Sequence, residues 1–198
     1  MIQKSQINDK RITKSRKLIQ DAFLSLANKN PFENITVKDI SERANVNRAT
    51  FYAHFKDKYD LLDSFISDEF MTIVSSRISP DAKLNEKTLR DLIFIMCDYH
   101  KTVGTSYIRL YKSANILIDM RVQLKLQNIV QNMLNNTRNC SKNEEEKLEL
   151  ITVMMSSGIY CATKHWHSKG NLKDASAVSA LADEILSFMT SWLTAALD

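Results

Sequence analysis

A chain of 198 residues has room for one large domain or two small ones, and 44% apolar with 25% charged content excludes intrinsic disorder in favour of an ordinary globular fold. Three Gly and two Pro, beside long runs of Leu, Ile, Lys, Glu, Gln and Asn, favour helices joined by short turns, so the predicted class is all-α. The net charge of +4 is uneven: residues 1–60 hold 12 Lys and Arg against 7 Asp and Glu, whereas the remainder holds 15 against 16, which points to a polyanion partner at the N-terminal end or to a merely solvated basic face.

No apolar run approaches the roughly 20 residues of a membrane-spanning helix. The polar, basic N-terminus also lacks the apolar stretch of a signal peptide, so a cytoplasmic location without a membrane partner is expected. Cys97, Cys140 and Cys161 are odd in number and form no CxxC pair, which argues for reduced thiols over a disulfide framework.

In chain order, residues 1–10 read as a mobile basic arm. A first helix follows over Arg11 to Asn28, with Ile19, Ala22, Phe23 and Leu26 on one stripe, and Asn30 and Pro31 stop it. Thr36, with Asp39 three positions on, is a cap signal for a short second helix that carries Val37, Ile40 and Ala44 on one face. Asn45 suits a left-handed turn, Val46 is an apolar plug, and Asn47 is an N-cap for a third helix from Arg48 to about Phe55. Phe51 and Phe55, four apart, must point into a small core with Val46, which turns Ala49 and Ala53 outward.

Beyond Asp57, the spacing of Tyr59, Leu62, Phe65, Ile66, Phe70, Ile73 and Val74 predicts a long connecting helix. Pro80 ends the next stretch. Further helices are predicted over Lys87–Val103, Thr105–Leu117, Met120–Thr137, Glu144–His167 and Ala175–Leu197, with a loop-like Asn135–Asn143 and a helix stop at Lys169-Gly170-Asn171. The expected division is an arm and helix-turn-helix domain over 1–58 and a helical bundle domain over 59–198. The last two helices carry broader apolar surfaces than a core alone needs, around Met154, Gly158 and Trp166 on one and Leu186, Met189, Trp192 and Leu193 on the other. A self-pairing homodimer interface is the preferred reading, an intramolecular bundle the alternative.

Two short helices and a tight turn inside the basic third form a helix-turn-helix candidate. The segment Ile35 to Leu62, ITVKDISERANVNRATFYAHFKDKYDLL, resembles the DNA-binding signature of the TetR family, TxxxIxxxAxVxxxTFYxHFxxKxxLL. The likeness covers about residues 11–62; the C-terminal half is similar only loosely, through Gly158, Trp166 and Gly170 ahead of a final amphipathic helix. Asn45 stands where the family commonly has Gly. The resemblance implies a four-helix dimer interface from the last two helices and a recognition helix that leads with Arg48, Ala49 and Thr50, followed by Tyr52 and His54. It also implies phosphate contacts from Thr36 and Lys58 and a phosphate or base-edge contact from Lys38. The chemistry agrees: Arg48 can donate two hydrogen bonds to a guanine edge, and Ala49 or the Thr50 methyl can touch a thymine methyl. Lys10, Arg11 and Lys14 can add minor-groove or backbone contacts.

Cys97 and His100, three apart, and Cys161 and His165, four apart, have metal-ligand composition, but nothing brings the pairs together, so no metal and no cofactor are expected. A redox-sensing cysteine is the other reading of these thiols. Met96, Met120, Met154, Met155, Phe94, Tyr99, Tyr107, Tyr111, Tyr160 and Trp166 either line an adaptable effector pocket or are plain core. No Gly-rich phosphate loop, nucleophile elbow or marked carboxylate pair suggests an enzyme.

The sequence thus leads to a ligand-responsive repressor that binds double-stranded operator DNA as a dimer, with a small-molecule effector. The rivals are a TetR-like activator or co-regulator responding to a protein partner and, from another class, a small helical metal-binding protein or enzyme.

Overall fold

A computed structural model describes the backbone of residues 2–137, 145–172 and 174–197, and the side chains of residues 13–137, 146–172 and 174–189. The described residues form eight α-helices and no strand: α1 (Ile2–Ala27), α2 (Val37–Arg43), α3 (Arg48–His54), α4 (Lys58–Ser75), α5 (Glu86–Thr105), α6 (Ile108–Thr137), α7 (Glu145–Ser168) and α8 (Ala175–Leu197). A single 3-10 turn, Phe32–Asn34, precedes α2. The all-α expectation therefore holds.

Two boundaries differ from expectation. Helix α1 begins at Ile2, not Arg11. Residues 3–10 lack an apolar stripe, yet they contain no Gly or Pro, so a helix anchored further along continues through them. The side chains of Lys10 and Arg11 lie outside the described residues; Lys14 is exposed. The two helices expected over Thr105–Leu117 and Met120–Thr137 are one, α6, broken at Ala114 (φ −137°, ψ 22°) and not near Asp119. Side chains on both sides compete with the helix there. The Ser113 hydroxyl bonds back to the carbonyls of Arg109 (3.3 Å) and Leu110 (3.1 Å), and the Asn115 side chain takes the backbone N–H of Ile116 at 2.8 Å.

The chain divides into two compact units. The first comprises residues 1–66 and 107–118. Its core gathers Ile19 and Phe23 from α1, Ile40 from α2, Phe51 and Phe55 at α3, Leu61 and Phe65 from α4 and Leu110 from α6, each at most 6% exposed. Burial of each large side chain contributes roughly 1.5–3 kcal/mol. Aromatic edges set the angles: Phe23 meets Phe32 and Phe65 edge-on at 6.1 Å, and Phe65 meets Tyr107 at 5.4 Å. The backbone N–H of Phe32 donates to Ser113 Oγ at 3.1 Å, so the 3-10 turn is fastened to the first turns of α6.

The second unit comprises residues 67–106 and 119–198. Helices α5, α7 and α8 pack together around Leu92, Ile93 and Met96, Met155 and Ile159, and Ala182 and Ile185. An Asn85 capping box with Thr88 starts α5. Gly170 (φ 69°) ends α7: its N–H bonds His167 O and that of Asn171 bonds Trp166 O, a Schellman motif that only a left-handed residue can close. On α5, His100 is 5% exposed and Nε2 lies 3.2 Å from Thr163 Oγ1 of α7. Nearby, Tyr160 donates to Asp119 at 2.6 Å and Lys164 pairs with the other carboxylate oxygen.

Candidate nucleic-acid interface

Helix α2 starts at Thr36, whose hydroxyl accepts the N–H of Asp39 at 3.2 Å while the Asp39 carboxylate accepts the N–H of Thr36 at 3.0 Å. Hydrogen bonds from the Thr36 side chain and backbone, with Lys38 nearby, hold the Asp39 carboxyl below the usual carboxylate range. The helix ends on Asn45 at φ 53°. Its N–H bonds Glu42 O at 3.2 Å and the next N–H, of Val46, bonds Ser41 O at 3.0 Å, so the turn is a Schellman motif with Asn in the left-handed position.

Asn47 then caps α3, its Oδ1 accepting from Thr50 N at 2.7 Å and from the Thr50 hydroxyl at 2.9 Å. Behind α3, Phe51 and Phe55 are 0% and 2% exposed with ring centroids 5.8 Å apart. The Arg16 guanidinium covers Phe55 at 5.1 Å and donates to Ser64, which locks α1, α3 and α4 on one anchor. The opposite face of α3 is open: Arg48, Ala49, Tyr52 and Ala53 are exposed, Tyr52 at 57% with its ring braced edge-on against Phe51 at 5.5 Å. Val46, expected as a plug, is half-buried.

The other predicted site residues divide into free and engaged ones. Lys38 is exposed, with a loose 3.9 Å contact to Glu42. Thr36 and Thr50 keep their hydroxyls in the two caps. His54 is half-buried, 2.7 Å from Ser15 Oγ of α1, and burial together with the charge on Arg16 lowers its imidazole below the ordinary histidine range. Lys58 Nζ donates to the carbonyls of Phe32 (3.1 Å), Glu33 (2.8 Å) and Ile35 (3.0 Å), using all three ammonium donors. The first N–H groups of α4 are taken by Asp57, which accepts from Tyr59 and Asp60 at 2.8 Å each.

The arrangement is a short helix held from behind by aromatic rings and presenting a flat, partly basic leading face. Comparison with known proteins bears directly on it, because residues 19–65 match the family model described as bacterial regulatory proteins, tetR family. Residues 19–65 are thus similar to the DNA-binding segment of the TetR family. Among curated relatives it is 37% identical over 92 residues to the uncharacterized HTH-type transcriptional regulator YxbF of Bacillus subtilis, a match covering 43% of this chain and 24% of that one. It is 30% identical over 69 residues to the dhaKLM operon transcriptional activator DhaS of Lactococcus lactis (35% and 37%) and 38% identical over 68 residues to the transcriptional repressor KstR of Rhodococcus jostii (34% and 32%). The chain thus spans under two fifths of the length of these curated relatives. A TetR transcriptional regulator from Streptococcus agalactiae shares the fold, at a TM-score of 0.58 and 22% identity over 93% of this chain and 98% of that one.

The engaged residues carry the weakest signal in the sequence. Arg16 and Ser15 carry no local signal because their partners lie 48 and 39 positions away, and only the apolar stripe of α1 indicates which side of that helix faces the core. No described helix is long and apolar enough to cross a membrane. No group of three or more His, Cys, Asp or Glu among the described residues is placed to hold a metal. Cys97 is buried, its thiol raised to about 12 by burial and by Asp98, whereas Cys161 is exposed.

The residues expected around an effector scatter. Met96, Tyr99, Met155 and Tyr160 are core, Met120 and Met154 are exposed, and Tyr107 and Tyr111 belong to the first unit. Phe94 lines a cavity of about 300 Å³ in the second unit, with Cys97, Leu172 and Val178 as apolar wall and Arg77, Asp98, Lys101 and Asp174 at its polar side.

Proposed function

We propose that this chain is a TetR-family, sequence-specific, DNA-binding transcriptional regulator, acting in the cytoplasm as a homodimeric, ligand-responsive repressor on a near-palindromic operator. The observation that carries the reading is the two-faced α3: Phe51 and Phe55 are buried behind it while Arg48, Ala49 and Tyr52 are exposed in front. A helix offered in this way enters a major groove by its N-terminal end. Arg48 reads a guanine edge, Ala49 and the Thr50 methyl meet thymine, and Tyr52, Lys38 and Thr36 reach phosphates. His54 and Lys58, whose polar atoms already have protein partners, serve in this reading to position α3 and the turn ahead of α2 instead of touching DNA.

The functional division is residues 1–58 for DNA and 59–198 for sensing and dimerisation. Dimerisation through α7 and α8 is supported by Leu150, Val153 and Met154 on α7 and Phe188 on α8, at 60%, 39%, 39% and 76% exposure, more apolar surface than solvent-facing helices carry. The cavity beside Phe94 suits a small amphiphilic effector, with Lys101 for an acidic group and Leu172 and Val178 for an apolar one. Such a ligand acts by preferring the dimer geometry that does not fit DNA. Relatives named as an activator and as a repressor both exist, so the sign of regulation is read from a reporter placed behind the selected operator.

The test is selection of bound sequences from a random duplex pool, followed by salt titration. Recovery of an inverted repeat with half-sites about 34–36 Å apart, lost in Arg48→Ala or Tyr52→Ala without a change in melting temperature, is the expected result. Binding blind to sequence, or binding that survives both substitutions, overturns the reading.

A further inference from the structure

A second hollow, of about 390 Å³, lies within the first unit between the α1–α2 turn and the start of α6. Lys29, Asn30 and Pro31 form one wall; Arg109, Lys112 and Ser113 form the other. Arg109, Lys112 and Ser113 are spaced i, i+3, i+4, which places all three on one face of α6. Three cations therefore surround a single concavity, and the hollow has no acidic residue among its walls. Among the described residues none of the three has a carboxylate within 4.0 Å, whereas Lys38, Arg77, Arg90 and Lys164 all do.

Like charges gathered without a counter-charge repel one another, and an anion seated among them converts that repulsion into attraction. Arg109 brings a planar fork that can hold two oxygens of one phosphate, and the two lysines bring point charges. The hollow is a shallow, open concavity backed by the fastened Phe32–Ser113 contact, with room for a small ligand.

We propose that this hollow is an anion site for a small phosphorylated metabolite, gripped by Lys29 from the α1–α2 turn and by Arg109 and Lys112 from α6. A ligand there ties the two segments together by charge, alongside the hydrogen bond from Phe32 N–H to Ser113, and so stiffens the unit that carries α3. The site is separate from the cavity beside Phe94, which belongs to the other unit.

The experiment titrates the full-length protein with inorganic pyrophosphate and with glycerol phosphate at constant ionic strength, read by calorimetry and by melting temperature. Saturable binding of one anion per chain with a rise in melting temperature is expected. Arg109→Ala/Lys112→Ala should weaken it at least about tenfold, since each charge-assisted hydrogen bond removed is worth that much or more, while Lys83→Ala leaves it unchanged. Lys29→Glu, on an exposed turn, gives the same loss and serves if the double variant does not fold. An absence of saturable binding, or equal binding by wild type and both variants, overturns the proposal. So does a result in which the variants lose affinity for operator duplex but not for pyrophosphate, because the hollow would then belong to DNA.

Discussion

Lys58 Nζ donates a 2.8 Å hydrogen bond to the backbone carbonyl of Glu33, and its other two donors reach Phe32 and Ile35. One ammonium therefore closes the turn ahead of α2 onto the start of α4, with the rings of Phe32 and Tyr59 within 4.9 and 5.6 Å. Lys58→Met removes all three bonds and leaves carbonyls that water satisfies only in part, so chemical denaturation should show a loss of about 2–3 kcal/mol. Operator affinity should fall with the fold, yet the slope of log affinity against log salt should stay that of wild type. A slope smaller by about one would mean that the ammonium releases a counterion from a phosphate instead.

Asn45 makes the second prediction. At φ 53° an L side chain is strained, and Asn is among the residues that tolerate this region best after Gly. Asn45→Gly should raise stability by a few tenths to about 1 kcal/mol, and Asn45→Val should lower it by about 1–2 kcal/mol, because a β-branched residue fits that region worst. Thermal melts of the pair check the sign; equal shifts for Gly and Val would mean that the turn opens without cost.

These two residues mark where the sequence was legible and where it was not. Asn45, Asn47 and the Thr36/Asp39 box act on backbone two to four positions away, so residue type and spacing announce them, and the i, i+4 pair Phe51 and Phe55 declares the buried side of α3. The resemblance implies DNA contacts for Lys58 and His54, but their protein partners, 26 and 39 positions distant, carry no periodic signal. The break in α6 moved to Ala114 for the same reason. Beside Asn115, Ser113 contributes to it, with a hydroxyl that serves a turn 81 residues earlier while bonding back to its own helix.

Cysteine labelling separates the two described thiols. Cys97 is buried and its thiol is raised to about 12, so almost no thiolate is available near neutral pH; Cys161 is exposed. In a Cys140→Ser background one equivalent of thiol reagent should react quickly with the native protein, and a second only in denaturant. Rapid modification of Cys97 in the native state would restore a redox-sensing role to it.

Acid should destabilise the second unit through His100. Burial lowers its folded value to about 4, from 6.5, with His167 and Lys164 lowering it further and Asp119 opposing them. Between those values the unfolded chain binds the extra proton and the folded one does not, so stability is complete above about pH 6.5 and falls as the pH drops toward 4. The accumulated loss is about 3 kcal/mol. Urea melts across this window should show the slope in wild type and a flatter one in His100→Phe; parallel curves would place the acid sensitivity elsewhere.

The last prediction concerns what holds His167 flat against His100, with ring centroids 6.1 Å apart and planes at 24°. A Cβ on Gly104 would stand 2.8 Å from His167 Nε2 and 3.3 Å from Cε1, so Gly104→Ala must turn the ring away. The substitution also gains up to about 1 kcal/mol of helix propensity within α5, so in the wild-type background the two effects offset and the melting temperature should move little. In a His167→Ala background the clash is gone and the full gain of about 1 kcal/mol should appear, giving a coupling energy of similar size in a double-mutant cycle. The same Gly104→Ala protein should also show a shallower acid slope, because a displaced His167 leaves His100 closer to water and frees it of one cationic neighbour. Additive single effects, with the acid slope unchanged, would mean that the ring never depended on the glycine.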